Sequence, residues 1–472
     1  MKNKILTFLV LALFISLRIF GLGTDISNSD AARWHRRSEN FLSAIKQGNF
    51  SETYQKYHPG VTLMWINSLV KQTAFSYQLK TAGEPKSLEN ADYYPIIHGI
   101  SKGVLVLVLG TLLLFQIKYI SILFDKKTAL IYAFLMAVEP YLIGINRWFH
   151  LTSLEIFLVF TSLLALLVWN KEKSSKTLVF SSILFGLAVL TKTSALILLP
   201  ILLFVFIKDK KWRELGIFSL ISVITFYILF PAMWVESIQV VQKILGSLLG
   251  AVSEDVRTDL IFPLLVSFYY VIILAFRLSP ITFILFIVAL WKLRNSKDFN
   301  VSILLLSIFS YYVFLTLASQ KIDRYIISFI PFILLLVASM RLPKIVFVLP
   351  LVFLAYVALT YYPVYSAYYS PLFGGTKQAL KLGLYDNSGE YFSQAATYLN
   401  EKGRGKNVYV PDNIESFSYY YKGNLQGQFN EDTDYIVRSL YMDRNEFIET
   451  RCSSVEKSYG TYVDVVRVYS CK

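Results

Sequence analysis

Long apolar segments alternate with polar connections along most of the chain, a pattern typical of a polytopic membrane protein. A run of about 20 apolar residues is long enough to cross a bilayer as a helix, and about eleven such segments are predicted here. They cover residues 4–22, 99–123, 128–145, 151–170, 177–191, 193–207, 215–231, 263–291, 300–318, 325–340 and 345–361. The stretch 263–291 is too long for one untilted span and contains Arg277 and Pro280, which predicts an interfacial piece followed by a membrane helix.

The connections are of two kinds, and the two kinds alternate. One kind is longer and carries most of the side chains suited to chemistry. The other is short and basic, and short basic loops stay in the cytoplasm. We therefore expect a multi-pass protein of the cell membrane with its N-terminus in the cytoplasm and its long loops and C-terminal tail outside. The basic connections contain Lys2 and Lys4, Lys118, Lys126 and Lys127, Lys171, Lys173 and Lys176, Lys208, Lys210, Lys211 and Arg213, Lys292, Arg294 and Lys297, and Arg341 and Lys344.

Composition and charge agree with this arrangement. Of 472 residues, 55% are hydrophobic, well above the even balance of soluble domains. The net charge of +14 is concentrated in the basic connections, so it indicates orientation and attraction to anionic headgroups. No basic stretch lies on a soluble domain, and nucleic-acid binding is therefore not expected.

Residues 362–472 differ from the preceding membrane domain, 1–361, and predict a small extracytoplasmic α/β domain. It begins with the Tyr-rich stretch YYPVYSAYYSPLFGG, whose rings suit the membrane interface. Cys452 and Cys471, the only two cysteines, form either a disulfide or two free thiols. Helices are predicted at GEYFSQAATYLNEKG (389–403), IESFSYYY (414–421) and RNEFIET (444–450), and strands at NVYVPD (407–412) and VDVVRVYS (463–470).

The first outer loop, residues 23–98, holds the richest chemistry. Asp30 begins a segment with Trp34, Phe41 and Ile45 on one face, as in an amphipathic helix lying on the membrane. Asp30 is either a functional carboxylate or an N-cap of this helix.

A second feature of this loop is the phrase TYQKYHPGVTLMWI, which contains His58. Pro59 and Gly60 predict a fixed bend before another amphipathic helix. The bend presents His58 at the mouth of a cavity. The alternative is a hydrogen-bonded structural histidine.

The order of these features resembles that of bacterial members of the protein O-mannosyltransferase and aminoarabinose-transferase superfamily. These are polytopic GT-C glycosyltransferases that use polyprenyl-phosphate sugars. The similarity covers nearly the whole chain. It is carried by Asp30 at the start of the first loop and by the phrases YHPGVTLMW, EPYLIGINRWFH, GLAVLTKTSALILLP, FPAMWVE, FRLSP, KIDRYIISFIP and YYSPLFGG.

The resemblance implies a GT-C fold, a polyprenyl-phosphate sugar donor and a protein, lipid or glycan acceptor at the outer face. It also implies that Asp30 is the catalytic base or positions the acceptor, with His58 as a further candidate. Transfer to a hydroxyl needs a carboxylate to accept the proton, whereas a phosphate leaving group needs no strong acid. One base suffices for inversion by direct displacement. No cofactor is indicated, although a divalent metal ion is an alternative.

The chain departs from the family pattern at two positions. Ala31 stands where the family usually has a second acidic residue, and Thr152 stands where the second outer turn usually has an Asp. The nearest carboxylates are Glu139 and Glu155. Glu155 is a candidate substitute, although it lies deeper in the membrane, where a charge is costly and usually functional. Further candidates in this turn are Arg147 and His150.

Cations at the outer ends of later helices are candidates for binding the lipid phosphate. These residues are Lys192, Arg277, Lys321 and Arg324, and the last is followed by Tyr325. Phosphate recognition needs charge-assisted donors at headgroup depth, and arginine offers a forked geometry. Alternatively, these residues anchor helix ends by snorkelling. A pair between Asp323 and Lys321 or Arg324 would weaken the assignment.

Two other function classes fit a polytopic chain. A flippase or transporter of lipid-linked sugars needs broken helices in repeated halves and polar residues near mid-membrane. The sequence has no clear repeat, and Glu155 is the one mid-span charge singled out. An O-antigen ligase or polymerase shares the large outer loop. Glycosyl transfer remains the expected function, because the loop carboxylate and the phosphate-side cations belong together in such a site.

Overall fold

Helices account for 71% of the structure. The computed structural model describes residues 2–82, 87, 90–253, 265–340, 342, 345–403, 405–440 and 451–471. Its first sixteen helices are α1 (Lys2–Ile19), α2 (Ser29–Gln47), α3 (Val61–Ala82), α4 (Tyr94–Leu123), α5 (Lys126–Val138), α6 (Pro140–Asn146), α7 (Leu151–Glu172), α8 (Ser175–Thr191), α9 (Leu199–Ile207), α10 (Trp212–Leu229), α11 (Ala232–Ser253), α12 (Leu265–Arg277), α13 (Pro280–Leu293), α14 (Phe299–Leu317), α15 (Ile330–Ser339) and α16 (Ile345–Tyr361).

Every predicted apolar segment contains helix, and the chain is a multi-pass membrane protein. Within the described residues, four single helices (α4, α7, α10 and α14) are long and apolar enough to cross a membrane. The number rises to six if each of two bent pairs counts as one span. The total of about eleven spans stays a prediction, since several apolar helices are shorter than a full crossing.

Proline positions explain where the predicted segments break. α5 and α6 meet at an angle of 69°, directly before Pro140. Proline lacks an N–H and restricts the residue before it, so a helix usually ends there. The predicted break between Arg277 and Pro280 is confirmed, because α12 ends at Arg277 and α13 begins at Pro280.

Two further apolar segments begin with a 3-10 turn instead of an α-helix. The turn Thr193–Leu198 precedes α9, and the turn Asp323–Ser328 precedes α15. Each of these helices has a proline in its first turn, Pro200 or Pro331. Proline is tolerated there because the first helical N–H groups have no intrahelical acceptor. Both turns carry side chains of the candidate site.

The two helices predicted in the first outer loop are α2 and α3, of which α2 is clearly amphipathic and α3 is not. α2 buries Trp34 and Phe41, as its periodicity predicts. The bend before α3 is tight, because Gly60 has a φ of +62° and a Cβ there would lie 2.2 Å from the Trp34 ring. Only glycine fits this position without strain, and the contact ties the start of α3 to α2.

The C-terminal block forms a mixed sheet with short helices, as predicted. The first and last of its five strands are confirmed within the two predicted strand segments, whereas the other three were not predicted. Its elements are α17 (Gly375–Lys381), α18 (Phe392–Glu401), β1 (Asn407–Tyr409), α19 (Ile414–Ser418), β2 (Asn424–Gln426), β3 (Tyr435–Ser439), β4 (Ser454–Tyr459) and β5 (Val466–Ser470). The strand order is β2-β1-β3-β5-β4, with β1 parallel to both neighbours and the remaining pairs antiparallel.

Covalent and non-covalent contacts fix this block in place. Cys452 and Cys471 form a disulfide, which is the first of the two expected alternatives. The Tyr420 hydroxyl donates to the Gly23 carbonyl oxygen at 2.7 Å, so the block packs directly on the first outer loop. The helix predicted at 444–450 and the basic residues Arg341 and Lys344 lie outside the described residues.

The sidedness of the loops can be tested by cysteine labelling. We expect cysteines introduced at Ser51 and Gly423 to react with an impermeant thiol reagent in intact cells. The disulfide occupies both native cysteines and removes their background. A cysteine at Lys210, in a basic connection, is the matched control and is expected to react only after permeabilisation. Protection of both Ser51 and Gly423 positions would refute the topology.

Candidate active site

Asp30 lies in the first turn of α2 and makes contacts that a helix cap would not make. The N-cap of α2 is Asn28, whose side chain makes no capping hydrogen bond. The Asp30 carboxylate instead reaches across to Arg324, with 3.1 Å between Oδ2 and Nη2, and to His150, with 3.4 Å to Nε2. Arg33 lies 3.9 Å away, one helical turn further along α2. Asp30 is therefore not the N-cap of α2, and it stays a candidate site carboxylate.

Thr152 fixes the orientation of the His150 ring. The Thr152 backbone N–H donates to His150 Nδ1 at 3.2 Å, and the Thr152 hydroxyl lies 2.9 Å from the same nitrogen. A neutral ring that accepts at Nδ1 carries its proton on Nε2, which is the nitrogen facing Asp30. Thr152, which stands where an Asp is usual, thus orients the ring of His150.

Electrostatics keep Asp30 ionised and His150 neutral at pH 7. Burial alone would raise the pKa of Asp30, but contact with His150 and the charges of Arg324 and Arg33 hold that pKa well below its usual range. Burial lowers the pKa of His150 to about 4, although Asp30 opposes the shift. A carboxylate held in this way binds cations strongly and protons weakly.

Lys192 lies at the C-terminal end of α8 and faces the same cluster. Its Nζ lies 4.4 Å from the centre of the Tyr325 ring, and its side chain is 5% exposed. Burial and the charge of Arg324 lower the pKa of Lys192 to about 8, although Glu155 and Asp30 oppose the shift. Among the described residues, no oxygen accepts a hydrogen bond from this ammonium.

His58 joins the cluster through the 3-10 turn that follows Lys192. Its Nδ1 lies 3.0 Å from the Thr193 hydroxyl. Burial and the charge of Lys192 lower the pKa of His58 to about 2, so the ring stays neutral. The hydrogen-bonded alternative for His58 is therefore observed, whereas its position at the mouth of a cavity stays a prediction.

Several buried polar atoms around Lys192 lack a hydrogen-bond partner within the described parts of the chain. They are both carboxylate oxygens of Glu155, the Ser194 hydroxyl and Nε of Arg324. Ser194 lies close to Glu155 but is not aligned to donate to it. Buried polar groups are normally paired, so a cluster of unpaired ones is a common sign of a ligand site.

The described residues contain no group of three or more His, Cys, Asp or Glu side chains spaced to bind a metal ion. The candidate site therefore consists of the ionised carboxylate of Asp30, the neutral histidines His58 and His150, the cations Lys192 and Arg324, and the deeper carboxylate of Glu155.

Arg277 and Lys321 do not join this cluster. Arg277 pairs with Asp323 and donates to the carbonyl oxygens of Ser366 and Tyr368, so its donors serve the packing of the tail. Lys321 donates to carbonyl oxygens at the end of α14. Asp323 has Arg277 as its salt-bridge partner, so the pair with Lys321 or Arg324 that would weaken the phosphate assignment is not seen among the described residues.

Glu139 and Arg147 also have structural partners. Glu139 accepts from the Ser279 backbone N–H at 2.7 Å and from the Thr282 hydroxyl at 2.6 Å, so it holds the start of α13. Arg147 lies 3.0 Å from Asp25 and donates to the Phe20 carbonyl oxygen at 2.8 Å. Both side chains brace the outer face of the bundle and make no contact with Asp30.

Asp25 is an important residue that the sequence analysis did not single out. It is fully buried between Arg147 and Lys102, whose Nζ lies 2.7 Å from Asp25 Oδ1. Lys102 lies inside α4, so Glu155 is not the one charge within an apolar segment. A lysine in such a segment needs a carboxylate partner, and this signal could have led to Asp25.

Comparisons with known proteins agree with the resemblance seen in the sequence. The profile of the family "Dolichyl-phosphate-mannose-protein mannosyltransferase" matches residues 100–234, which include His150, Glu155 and Lys192. Asp30 and Arg324 lie outside the matched region. No match was found among curated proteins.

Solved structures share the fold across almost the entire chain. ArnT from Cupriavidus metallidurans bound to undecaprenyl phosphate has 12% sequence identity and a TM-score of 0.56, covering 98% of this chain and 97% of that one. The same protein in the apo state has the same identity and coverage, with a TM-score of 0.55. At this identity the likeness establishes the GT-C fold, which confirms the resemblance.

The structural and site arginines predict different mutant phenotypes. Arg277→Ala leaves the buried Asp323 carboxylate unpaired, and loss of one partner of a buried pair costs about 3–5 kcal/mol. We expect a clearly lower melting temperature in detergent. Lys192→Ala removes an ammonium without a hydrogen-bond acceptor in the described structure and should leave the melting temperature nearly unchanged. Equal melting temperatures for the two variants would contradict the separation of their roles.

Proposed function

We propose that this chain is a membrane glycosyltransferase that moves a sugar from a polyprenyl-phosphate donor to a hydroxyl acceptor at the outer face. The observation that carries the proposal is the pairing of Asp30 with Arg324 beside the ammonium of Lys192, which lies over the Tyr325 ring and has no hydrogen-bond acceptor among the described residues. A carboxylate base and two phosphate-binding cations in one partly buried cluster are the groups that this reaction needs. The family match and the fold shared with a protein holding undecaprenyl phosphate support the donor class.

Arg324 and Lys192 bind the phosphate of the donor. The Arg324 side chain is 15% exposed and its Nε is unpaired, so it has donors to offer an anion. Charge-assisted hydrogen bonds to phosphate are among the stronger polar contacts in proteins. Tyr325 lies against Lys192 and limits where the ammonium can move. The positive charges also stabilise the phosphate as it leaves.

Asp30 accepts the proton of the acceptor hydroxyl. The acceptor oxygen attacks the anomeric carbon while the bond from that carbon to the phosphate oxygen breaks, which inverts the sugar. The electron pair of the broken bond stays on the polyprenyl phosphate, and the proton passes to the Asp30 carboxylate. His150 Nε2 lies 3.4 Å from this carboxylate and orients it.

The pair between Asp30 and Arg324 gives donor binding a second effect. In the free protein, Arg324 is among the groups that lower the pKa of Asp30 and make it a weak base. A bound phosphate competes for the guanidinium and weakens that hold. The pKa of Asp30 then rises toward its ordinary value, so the base gains strength when the donor is present.

Glu155 and His58 complete the proposal on the deeper side of the site. Glu155 is fully buried beside Lys192 and has no hydrogen-bond partner among the described residues. We assign it to binding sugar hydroxyls, for which an acceptor oxygen is required. His58 stays neutral and supports the turn that carries Thr193.

The role of Asp30 can be tested with purified protein and a labelled polyprenyl-phosphate sugar. Asp30→Asn should fold normally and lower turnover on the order of 100-fold or more, as expected for loss of a positioned base. Glu39→Gln, on the opposite side of α2, is the matched control and should transfer sugar at a near-normal rate. Near-normal transfer by Asp30→Asn would leave this residue with a structural role only.

The pH dependence of donor use tests Lys192. The ammonium is charged below its pKa of about 8 and becomes neutral above it, so kcat/KM for the donor should fall as the pH rises through about 8. The arginine of Lys192→Arg keeps its charge at higher pH, so the fall in kcat/KM should occur at a higher pH. An unchanged high-pH limb in Lys192→Arg would show that another group controls donor binding.

A further inference from the structure

A large apolar groove runs between α3 and α4, away from the candidate active site. Its volume is about 840 Å³. Leu69 and Ile96, which line it from the two helices, are 70% and 58% exposed. The groove walls include Leu69, Thr73 and Tyr77 from α3, and Ile96, Ile100 and Val104 from α4.

A smaller, more polar pocket of about 260 Å³ adjoins the groove. Gln78, Tyr93 and Ile97 line both cavities, and we call the groove and the pocket together the channel. The smaller pocket adds polar side chains from α2 and α3, namely Glu39, Ser43, Lys46, Lys71 and Gln72. An apolar groove beside a more polar pocket is complementary to an amphiphile, which has an apolar chain and a polar headgroup.

The polar end carries one excess positive charge. Lys71 is 9% exposed, lies 3.1 Å from Glu39 and donates to the His35 carbonyl oxygen at 2.7 Å. The charges of Lys71 and Glu39 thus cancel. Asp92, which lines the groove, pairs with Lys422, so Lys46 is the remaining charge. A headgroup with one negative charge complements this end, with Ser43 and Gln72 as additional donors.

The length of the groove is close to the thickness of one leaflet of a bilayer. The groove follows about twelve residues of α3, from Ile66 to Gln78, which corresponds to about 18 Å at 1.5 Å per residue. One leaflet of the hydrocarbon core is about 15 Å thick. α4 is a candidate membrane span, and the groove covers its first turns. An acyl chain therefore matches the groove in both length and surroundings.

We infer that this channel binds one anionic glycerophospholipid, with an acyl chain in the α3–α4 groove and the phosphate beside Lys46. The site is separate from the candidate active site. Nine positions separate Asp30 from Glu39, and at about 100° per residue the two side chains point to opposite sides of α2. The inference therefore stands or falls independently of the proposed glycosyl transfer.

Native mass spectrometry of the protein released from nanodiscs can test the site. The nanodiscs contain equal amounts of phosphatidylglycerol and phosphatidylcholine. We expect the wild-type chain to retain one phosphatidylglycerol in preference to phosphatidylcholine. Ala74→Trp places a ring in the groove and should lower retention by about 10-fold or more, because the ring occupies the apolar surface that the chain would bury. Leu79→Trp adds the same ring outside the groove and should retain the lipid.

A charge reversal tests the headgroup contact separately. Lys46→Glu should abolish the preference for phosphatidylglycerol, whereas Lys80→Glu, the same change outside the channel, should preserve it. Melting temperatures of all variants show whether the fold is intact. Equal retention of the two lipids by the wild type would overturn the inference, and so would undiminished retention by a folded Ala74→Trp variant. Either result is expected for ordinary annular lipid.

Discussion

The buried carboxylate of Asp25 makes the contacts on which the arrangement around the candidate site depends. It lies 2.7 Å from Lys102 of α4 and 3.0 Å from Arg147, which follows α6, and all three side chains are almost completely buried. Burial disfavours the charged carboxylate, but the two cations more than offset this and lower its pKa. Removing one partner from such a group costs about 3–5 kcal/mol, so the first outer loop is firmly tied to the membrane bundle.

The position of Asp30 follows from this anchor. Asp25 and Asp30 are five residues apart, and the turn between them is also held by the C-terminal block. Gln394 donates to the Asp25 carbonyl oxygen at 2.6 Å, and the Ser29 backbone N–H donates to the Ser388 carbonyl oxygen at 3.1 Å. Bundle and tail therefore fix the start of α2 together. The C-terminal block contacts the chain directly beside Asp30 and therefore helps to position it.

The sequence predicted most helices, because apolar length and periodicity are local properties. It also singled out Asp30, whose surroundings in the first loop are distinctive and whose catalytic role stays a prediction. Partner choice was less predictable. Arg277 and Arg324 look equivalent in sequence, yet one pairs with Asp323 in the core and the other with Asp30 in the site. Such pairings depend on how distant helices meet. The short strands β2–β4 were missed for a similar reason, since residues paired across a sheet are distant in sequence.

The central claim is that Arg324 and Lys192 hold the donor phosphate with Asp30 beside the reacting carbon. A structure determined by electron cryo-microscopy with a non-transferable phosphonate analogue of a polyprenyl-phosphate sugar tests this most directly. The account predicts a phosphonate within hydrogen-bond distance of both cations, with the Asp30–Arg324 contact loosened and the carboxylate facing the anomeric carbon. A phosphonate bound elsewhere, with the Asp30–Arg324 pair unchanged, would contradict it.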